Sequence, residues 1–424
     1  MSAQASHPTL LIPGPIEFDD AVLGSMAHPS ALLAYQTTLI AGGFSESHVG
    51  PAFVNAFGET LSMLRKLFIT TDPKSQPFVI SGSGTLGWDF VAANLVEKCD
   101  EVLVLHSGIW HPGRSGYFAD SFATCLSVYG AVPTQLNAPI GSRPSLDEIG
   151  AELKRKSYKA ITITHTDTST GVLSDVKAVS ELVHKVSPDT LVVVDGVCSV
   201  GCEEIRFDGW GIDVVLTASQ KAIGVPAGLC ILMVSGRGID RFKARRTPPP
   251  AYFASFANWL PIMQNYEAKK PSYFATPSPQ LVRALHTSLS QILSVPLDYR
   301  FQKHKEASQK VKKAVTELGL RQLADKPECQ ANGMTAIYLP EGVAAPDLLP
   351  KLMARGVVFA GGLHKEMATK YFRFGHMGVS VTNSDLGHIE KAIEALKSSL
   401  AEVYIDKISY EGFEMQHLGI YSVS

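Results

Sequence analysis

The feature that most constrains the fold is an alternation of short apolar runs with helical segments between about residues 77 and 235. The runs are rich in Val, Ile and Leu, which is typical of strands buried on both faces of a parallel sheet. The predicted strands are PFVIS (77–81), EVLVLH (101–106), ATCLSVY (123–129), KAITITH (159–165), TLVVVD (190–195), DVVLTAS (213–219) and GLCILMVS (228–235). Helices are predicted in gaps between them, at 86–98, 144–157 and 174–187. The predicted fold class is therefore α/β, with a mostly parallel central sheet, flanking helices and a smaller C-terminal α+β domain.

Both ends of the chain depart from this alternation. The opening HPTLLIPGPIEFDDAV has prolines on both sides of Gly14 and predicts an extended arm, and an amphipathic helix is predicted over about 51–68. Beyond the alternation we predict a long helical region at 279–318. It is followed by strands at 334–339 and 371–376 and by helices at 346–355 and 383–403. We divide the chain into an arm (1–25), a large domain (26–290) and a small domain (291–424). The tail after Val403 gives no assignable pattern.

Composition excludes several classes of function. The chain carries 38 Lys and Arg against 40 Asp and Glu without a basic block, so we expect no nucleic-acid partner. We expect no membrane span, because no apolar run approaches the roughly 20 residues that one needs. The six cysteines form no CxxC pair, and we interpret them as buried free thiols rather than as disulfides or a metal site. The first basic residue is Arg65, so no signal peptide or presequence is predicted and a cytoplasmic location is expected.

A glycine-rich segment, SGSGTLG (81–87), follows the first predicted strand and opens a helix. Its glycines allow close approach, and the free N–H groups of a helix N-terminus favour a phosphate. Ser83 and Thr85 add hydroxyl donors that suit a phosphate monoester. The segment also satisfies GxGxxG, and Asp100 or Glu101 lies near the spacing of a ribose-binding acid, so a dinucleotide site is an alternative.

Two charged residues follow later strands. Asp195 ends the run VVVD, where an ordinary helix cap is the default interpretation and a cationic ligand nitrogen is the functional one. Lys221 lies in LTASQKAIGVPAG (216–228), with no acidic residue nearby in sequence. Most lysines are solvated, but a lysine partly removed from water has a lowered pKa and can form a Schiff base.

Two more candidates follow strands of the same predicted sheet. Trp110 is either core or a flat face for a cofactor ring, and Thr168 and Ser169 in HTDTSTG (165–171) are turn formers or ligand donors. Ligands of open α/β sheets bind outside the carboxyl ends of the strands. A phosphate loop, an aromatic ring, a hydroxyl turn, an acid and a lysine therefore all point to one crevice.

Together these motifs resemble the class V aminotransferases of fold type I, in particular the alanine–glyoxylate and serine–pyruvate group. The most specific pieces are SGSGT, HTDTSTG, VVVDGVCSVG, ASQKAIGVPAG and YFRFGHMG. The resemblance covers nearly the whole chain, from IPGP (12–15) to the strand that carries Arg373.

The resemblance implies pyridoxal 5′-phosphate (PLP) as cofactor, a homodimer with shared active sites, and a role for each candidate residue. Lys221 would hold the cofactor as a Schiff base, and Arg373 would bind the substrate carboxylate. The remaining roles are Asp195 at the pyridine nitrogen, Trp110 stacked on the ring, Thr168 near the ring hydroxyl, Ser83, Gly84, Thr85 and Gln220 at the phosphate, and Tyr273 and Thr276 at the phosphate of the neighbouring subunit. Asp167 stands where Glu is usual, and Thr85 stands where animal enzymes carry His.

The implied reaction is transamination between a small amino acid, alanine or serine, and a short 2-oxo acid, with alanine and glyoxylate giving pyruvate and glycine. One alternative is a cysteine desulfurase-like lyase that uses Cys329, which Gln220 disfavours because those enzymes carry His before the lysine. A second is an NAD-dependent dehydrogenase built on residues 82–87, which leaves Lys221 and Asp195 unexplained. An inactive PLP-fold binding protein is the third.

Overall fold

The computed structural model describes residues 4–26, 46–109, 117–364 and 367–417, without the side chains of 108–109 and 407–417. The helices are α1 Asp20–Ser25, α2 Pro51–Leu67, α3 Leu86–Leu95, α4 Tyr117–Val128, α5 Leu146–Arg155, α6 Val176–Val186, α7 Gly236–Lys243, α8 Phe256–Glu267, α9 Pro279–Ile292, α10 Leu297–Glu317, α11 Ala345–Ala354, α12 Val379–Thr382 and α13 His388–His417. The strands are β1 Thr9–Leu10, β2 Gln76–Ser81, β3 Glu101–Ile109, β4 Val132–Pro139, β5 Ala160–Thr164, β6 Leu191–Asp195, β7 Val214–Ala218, β8 Leu229–Val234, β9 Met334–Tyr338, β10 Val357–Val358, β11 Ala360–Gly361 and β12 Tyr371–Gly375.

A seven-stranded sheet in the order β2-β8-β7-β6-β5-β3-β4 forms the centre of the molecule. The strands from β7 to β4 are parallel, and β8 is antiparallel to both of its neighbours. The prediction of an α/β fold with a mostly parallel sheet is therefore confirmed. Because β8 reverses the direction twice, β2 runs in the same sense as β7. The carboxyl ends of β2, β3, β5, β6 and β7 consequently lie at one edge of the sheet.

The predicted strand at 123–129 is wrong, because residues up to Val128 belong to α4. The buried residues of α4 are Ala119, Phe122, Ala123 and Leu126, a spacing of three and four that places them on one helix face. The strand of this region is β4, which pairs only with β3 at the edge of the sheet. Its side chains are mostly exposed or partly exposed, so it lacks the apolar run by which the interior strands were predicted.

The C-terminal third differs from prediction in two places. The helical region predicted at 279–318 is two helices, α9 and α10, with Pro296 directly before α10. Pro296 lacks the N–H of a helix interior and fits this boundary. The sequence predicts no element after Val403, whereas α13 continues through this segment to His417.

The N-terminal arm connects the C-terminal strands to the central sheet. Strand β1 pairs in parallel with β10, and the N–H of Gly375 in β12 donates to the carbonyl of Leu11 over 2.7 Å. Farther along the arm, the N–H of Ile16 donates to the carbonyl of Gln220 over 3.2 Å. The arm thereby lies between β12 and the loop that follows β7.

Apolar packing forms two main clusters with no shared residue. The larger surrounds the seven-stranded sheet and runs from Val22 to Ile292, and the other joins Leu11 to buried residues between Val311 and Val403. The predicted boundary at residues 290 and 291 itself stays a prediction. None of the described helices is long and apolar enough to cross a membrane.

Candidate active site

Lys221 lies three residues beyond β7, at the shared carboxyl edge, and its side chain is only 7% exposed. Its Nζ donates to the carbonyl of Pro13 in the N-terminal arm. The arm passes so close that a Cβ at Gly14, whose φ is +106°, would collide with the Lys221 side chain. Burial lowers the pKa of Lys221, and the positive charge of Arg373 lowers it further. The amine therefore loses its proton more readily than a solvated lysine does, as a Schiff-base nucleophile requires.

Asp195 is the last residue of β6 and is 5% exposed. Its Oδ2 accepts from the indole Nε1 of Trp88 over 2.8 Å, and its Oδ1 accepts from the backbone N–H of Val197 over 3.1 Å. Burial raises the pKa of Asp195 in spite of these two hydrogen bonds. A buried carboxylate of this kind is stabilised by a cation, and a protonated ring nitrogen is one.

The glycine-rich loop between β2 and α3 meets the requirements of a phosphate cradle. A Cβ at Gly84 would lie 2.9 Å from Val197 Cγ2 and 3.1 Å from Ala218 Cβ, so a glycine is needed there for the backbone to come so close. Ser83 and Thr85 are exposed, and in the described chain the N–H groups of residues 83–85 donate to no protein acceptor. These donors precede the first turn of α3, where the helix dipole favours an anion.

The turn after β5 connects this region to Arg373. The carboxylate of Asp167 accepts two hydrogen bonds inside this turn, from the N–H and the hydroxyl of Ser169 over 2.8 and 2.6 Å. It also accepts from the hydroxyl of Ser107 over 3.0 Å. The carbonyl of Thr168 accepts from Arg373 Nη1 over 3.1 Å. Asp167, which departs from the usual Glu, thus shapes the turn that supports the guanidinium.

Arg373 projects from β12, the middle strand of the sheet β11-β12-β9. Its Nε donates to the carbonyl of Gly361 over 2.8 Å, which with the bond to Thr168 fixes the guanidinium plane. Burial lowers the pKa of Arg373, although a guanidinium keeps its charge in proteins. No carboxylate of the described residues forms an ion pair with it, so its remaining donors are free to bind a carboxylate ligand.

The other predicted site residues have different surroundings. Gln220, directly before Lys221, is partly buried. Tyr273 is 63% exposed, with its ring centroid 5.3 Å from that of His48, and Thr276 is exposed in the same loop before α9. Among the described contacts, neither residue forms a hydrogen bond to Lys221 or Asp195. Trp110 lies outside the described residues.

Sequence reasoning missed three contributors to this site. Trp88 and Val197 donate to Asp195, and Pro13 accepts from Lys221. Val197 was within reach of prediction, because a residue two positions beyond a strand-end carboxylate commonly donates its N–H to it. The other two come from segments far from Asp195 and Lys221 in sequence, and only the fold brings them close.

The cysteines were predicted to be buried free thiols. Cys198, Cys202, Cys230 and Cys329 are buried, but Cys99 is exposed and Cys125 is partly buried, so the prediction is wrong for the last two. A desulfurase-like cysteine would need to reach substrate. Cys329 instead lies in a short 3-10 turn and is closed off from solvent.

The comparison with protein families distinguishes an aminotransferase from the dehydrogenase alternative. The family model described as aminotransferase class-V matches residues 45–381, most of the chain. The chain belongs to the class-V aminotransferase family. The dehydrogenase alternative built on residues 82–87 is therefore excluded, and the protein is an aminotransferase.

Other class-V aminotransferases and related structures support this assignment. The chain is 42% identical over 404 residues to alanine–glyoxylate aminotransferase 1 of Saccharomyces cerevisiae, covering 93% of this chain and 98% of that protein. It is 30% identical to serine–glyoxylate aminotransferase of Hyphomicrobium methylovorum, covering 88% and 85%. The solved structure of alanine–glyoxylate aminotransferase from Nostoc sp. matches with a TM-score of 0.80 at 27% identity, covering 94% and 97% of the two chains.

Class-V aminotransferases depend on PLP, and the residues present fit that group. The free N–H donors of 83–85 suit its phosphate, and the buried carboxylate of Asp195 suits its pyridine nitrogen. Lys221 has the lowered pKa that bonding to an aldehyde carbon requires.

Proposed function

We propose that the chain transfers the amino group of alanine to glyoxylate, giving pyruvate and glycine, with PLP held by Lys221. The observation that carries the proposal is the convergence of three groups: Lys221 and Asp195 are buried at the carboxyl edge of the seven-stranded sheet, Arg373 is partly buried on β12, and the charges of Asp195 and Arg373 both act on Lys221. Serine is the second donor that the proposal includes.

Each residue has one task in this proposal. Ser83, Gly84, Thr85 and Gln220 hold the phosphate, and Asp195 keeps the pyridine nitrogen protonated. Thr168 lies near the ring hydroxyl, and Trp110 stacks on the ring. Bound PLP supplies an electron sink that stabilises negative charge at the substrate Cα. The roles of these residues rest on their placement and on the resemblance to the family.

The chain itself binds the substrate and moves its proton. Arg373 binds the amino-acid carboxylate through the fork of donors that its two carbonyl contacts leave free. With PLP bound, Lys221 would hold the cofactor and, as a neutral amine, would take the proton from the substrate Cα. Its lowered pKa increases the neutral fraction that can do so.

The choice of substrate rests on one carboxylate clamp and on the relatives. One arginine fork matches the single carboxylate of alanine or glyoxylate. The yeast relative at 42% identity is an alanine–glyoxylate aminotransferase, whereas an L-aspartate–glyoxylate aminotransferase of Paracoccus denitrificans is 28% identical. Alanine therefore ranks above aspartate as donor.

A donor and acceptor panel tests this choice. Alanine, serine and aspartate are each combined with glyoxylate, pyruvate and 2-oxoglutarate, except for alanine with pyruvate, which regenerates the same pair. The kcat/KM of each combination is measured from the 2-oxo acid and amino acid formed. The proposal expects alanine with glyoxylate to give the highest value. Failure of the enzyme to consume glyoxylate with alanine would refute it.

We also propose a homodimer in which Tyr273 and Thr276 reach the phosphate of the neighbouring subunit. Their exposure in a loop beside the large apolar cluster supports this, since exposed side chains are available to a second copy. The division into residues 1–25, 26–290 and 291–424, and the cytoplasmic location, remain predictions.

A further inference from the structure

Trp88 has a contact that a core residue does not need. It is the third residue of α3, it is 6% exposed, and its ring stacks on Phe122 with centroids 5.5 Å apart and planes 15° apart. Its indole Nε1 donates to Asp195 Oδ2 over 2.8 Å. The partners lie 107 residues apart in sequence, on α3 and at the end of β6.

This hydrogen bond acts on the carboxylate assigned to the pyridine nitrogen. Burial favours the neutral acid of Asp195, and the donors Trp88 and Val197 oppose that by favouring the ionised form. An indole N–H carries no charge, so it stabilises the carboxylate without replacing the cation that the carboxylate must pair with. A carboxylate has about four acceptor positions, and two donors leave room for the ring nitrogen.

The same helix turn also reaches the phosphate end of the site. The backbone N–H of Trp88 donates to the carbonyl of Thr85 over 3.0 Å, and Thr85 belongs to the glycine-rich loop. One turn of α3 therefore connects the loop with free N–H donors to the carboxylate at the other end of the cofactor site.

We propose that Trp88 is a positioning residue whose indole N–H orients the Asp195 carboxylate for pairing with the pyridine nitrogen of PLP. This inference rests on the proposed role of PLP and adds a residue that acts through Asp195 rather than on the substrate. The competing explanation is that Trp88 only fills the space beside Phe122.

Cofactor binding distinguishes the two explanations. Apoprotein of wild type and of Trp88→Phe is titrated with PLP and with 1-deazapyridoxal 5′-phosphate, which has a carbon in place of the ring nitrogen. Phe keeps an aromatic ring beside Phe122 and removes the N–H. We expect PLP affinity to fall about tenfold, the scale of one lost hydrogen bond to a charged group, and affinity for the analogue to stay nearly unchanged. An equal loss for both ligands, or no loss for PLP, would overturn the proposal.

Controls separate this result from general damage. Trp259→Phe removes another buried indole donor, which bonds to the carbonyl of Phe253 over 2.6 Å, and should leave both affinities unchanged. If Trp88→Phe does not fold, β-(3-benzothienyl)alanine at residue 88 replaces the N–H with sulfur in nearly the same shape, and the same two titrations decide.

The wild-type titrations report on the proposed cofactor role independently. If wild type binds PLP and the analogue equally, Asp195 does not pair with the ring nitrogen and that part of the proposed function fails. If wild type prefers PLP and the Trp88 variant keeps the whole preference, only the role of Trp88 fails.

Discussion

Burial moves the pKa values of the two central residues in opposite directions. Removal from water lowers the pKa of Lys221 and raises that of Asp195, because in each case the charged form loses hydration. A neutral amine at Lys221 and a carboxylate at Asp195 that pairs with a cation are the two states that the proposed binding of PLP requires.

The rate of PLP binding should reveal the lowered pKa of Lys221. Only the neutral amine attacks the aldehyde, so the association rate with apoprotein should rise with pH and level off below 10.5, the ordinary value for lysine. Reaction of PLP with Nα-acetyl-lysine, whose only amine is the ε-amine, gives the reference profile, because the ionisations of PLP itself are common to both. A protein midpoint equal to that of Nα-acetyl-lysine would contradict the expectation.

Replacement of Arg373 should weaken substrate binding selectively. Arg373→Lys keeps the charge but loses the planar fork. We expect kcat/KM for alanine to fall roughly ten- to a hundredfold, which corresponds to a loss of about 1.5–3 kcal/mol in transition-state stabilisation. Most of the change should appear in KM. Arg355→Lys is the matched control, because Arg355 pairs with Glu402 on α13 away from the site and should leave KM unchanged. An unaltered KM in Arg373→Lys would exclude the clamp.

At the scale of elements, the carboxyl edge of the sheet brings the site residues together. Strands β2, β5, β6 and β7 end there, and each leads directly into the loop that carries a candidate group. Gly84, in the loop after β2, lies close to two residues at the carboxyl ends of neighbouring strands. These are Val197, which follows β6, and Ala218, at the end of β7. A change in this one loop should therefore alter the affinity for the cofactor.

Gly84→Ala tests that close approach. The added methyl would lie within 3.1 Å of Val197 and Ala218, and relieving this crowding costs about 1–3 kcal/mol. The loop has to move, so we expect weaker PLP binding, measured by titration of apoprotein. Gly24→Ala is the control and should bind PLP normally, because outside its own stretch of helix no atom of the described residues lies within 4 Å of the added Cβ. Unchanged affinity in Gly84→Ala would argue against phosphate binding by this loop.

The sequence predicted interior elements better than edge elements. Strands β5, β6 and β8 are buried along their whole length, so continuous apolar runs identified them. Strand β4 lies at the edge of the sheet, with most of its side chains exposed or partly exposed, and it has no such apolar run. The neighbouring helix α4 was mistaken for a strand.

Site residues were predictable where a strand end places them. Asp195 ends β6 and Lys221 lies three residues beyond β7, so strand ends mark them as candidates, and the family resemblance implies their roles. The Trp88 contact depends on how α3 packs over β6, and the contact of Lys221 with Pro13 depends on the path of the arm. Neither has a local sequence pattern, because both join distant segments.

At the scale of the whole molecule, the N-terminal arm links the C-terminal strands to the loop after β7. The arm pairs with β10, contacts β12 and reaches the residue before Lys221. Arg373 on β12 and Lys221 in the loop after β7 thus belong to different parts of the fold that the arm connects. Tyr273 and Thr276, which are exposed in one chain, are the residues through which the proposed dimer would complete the site.

Mixed dimers test whether active sites are shared. Lys221→Ala and the double variant Tyr273→Ala/Thr276→Ala should each have little activity alone. Co-expressed, they should form dimers in which one site receives both intact halves, and part of the activity should return. Two Lys221→Ala chains with different tags are the control and should stay inactive. No recovery in verified mixed dimers would show that Tyr273 and Thr276 do not complete the neighbouring subunit's site.

The central claim, that Lys221 carries PLP, is tested most directly by reducing the purified holoenzyme with borohydride and mapping its peptides by mass spectrometry. We predict a yellow protein that loses its visible absorbance on reduction and carries one phosphopyridoxyl group, on Lys221. An adduct on another lysine, or PLP-saturated protein with no adduct, would contradict the claim.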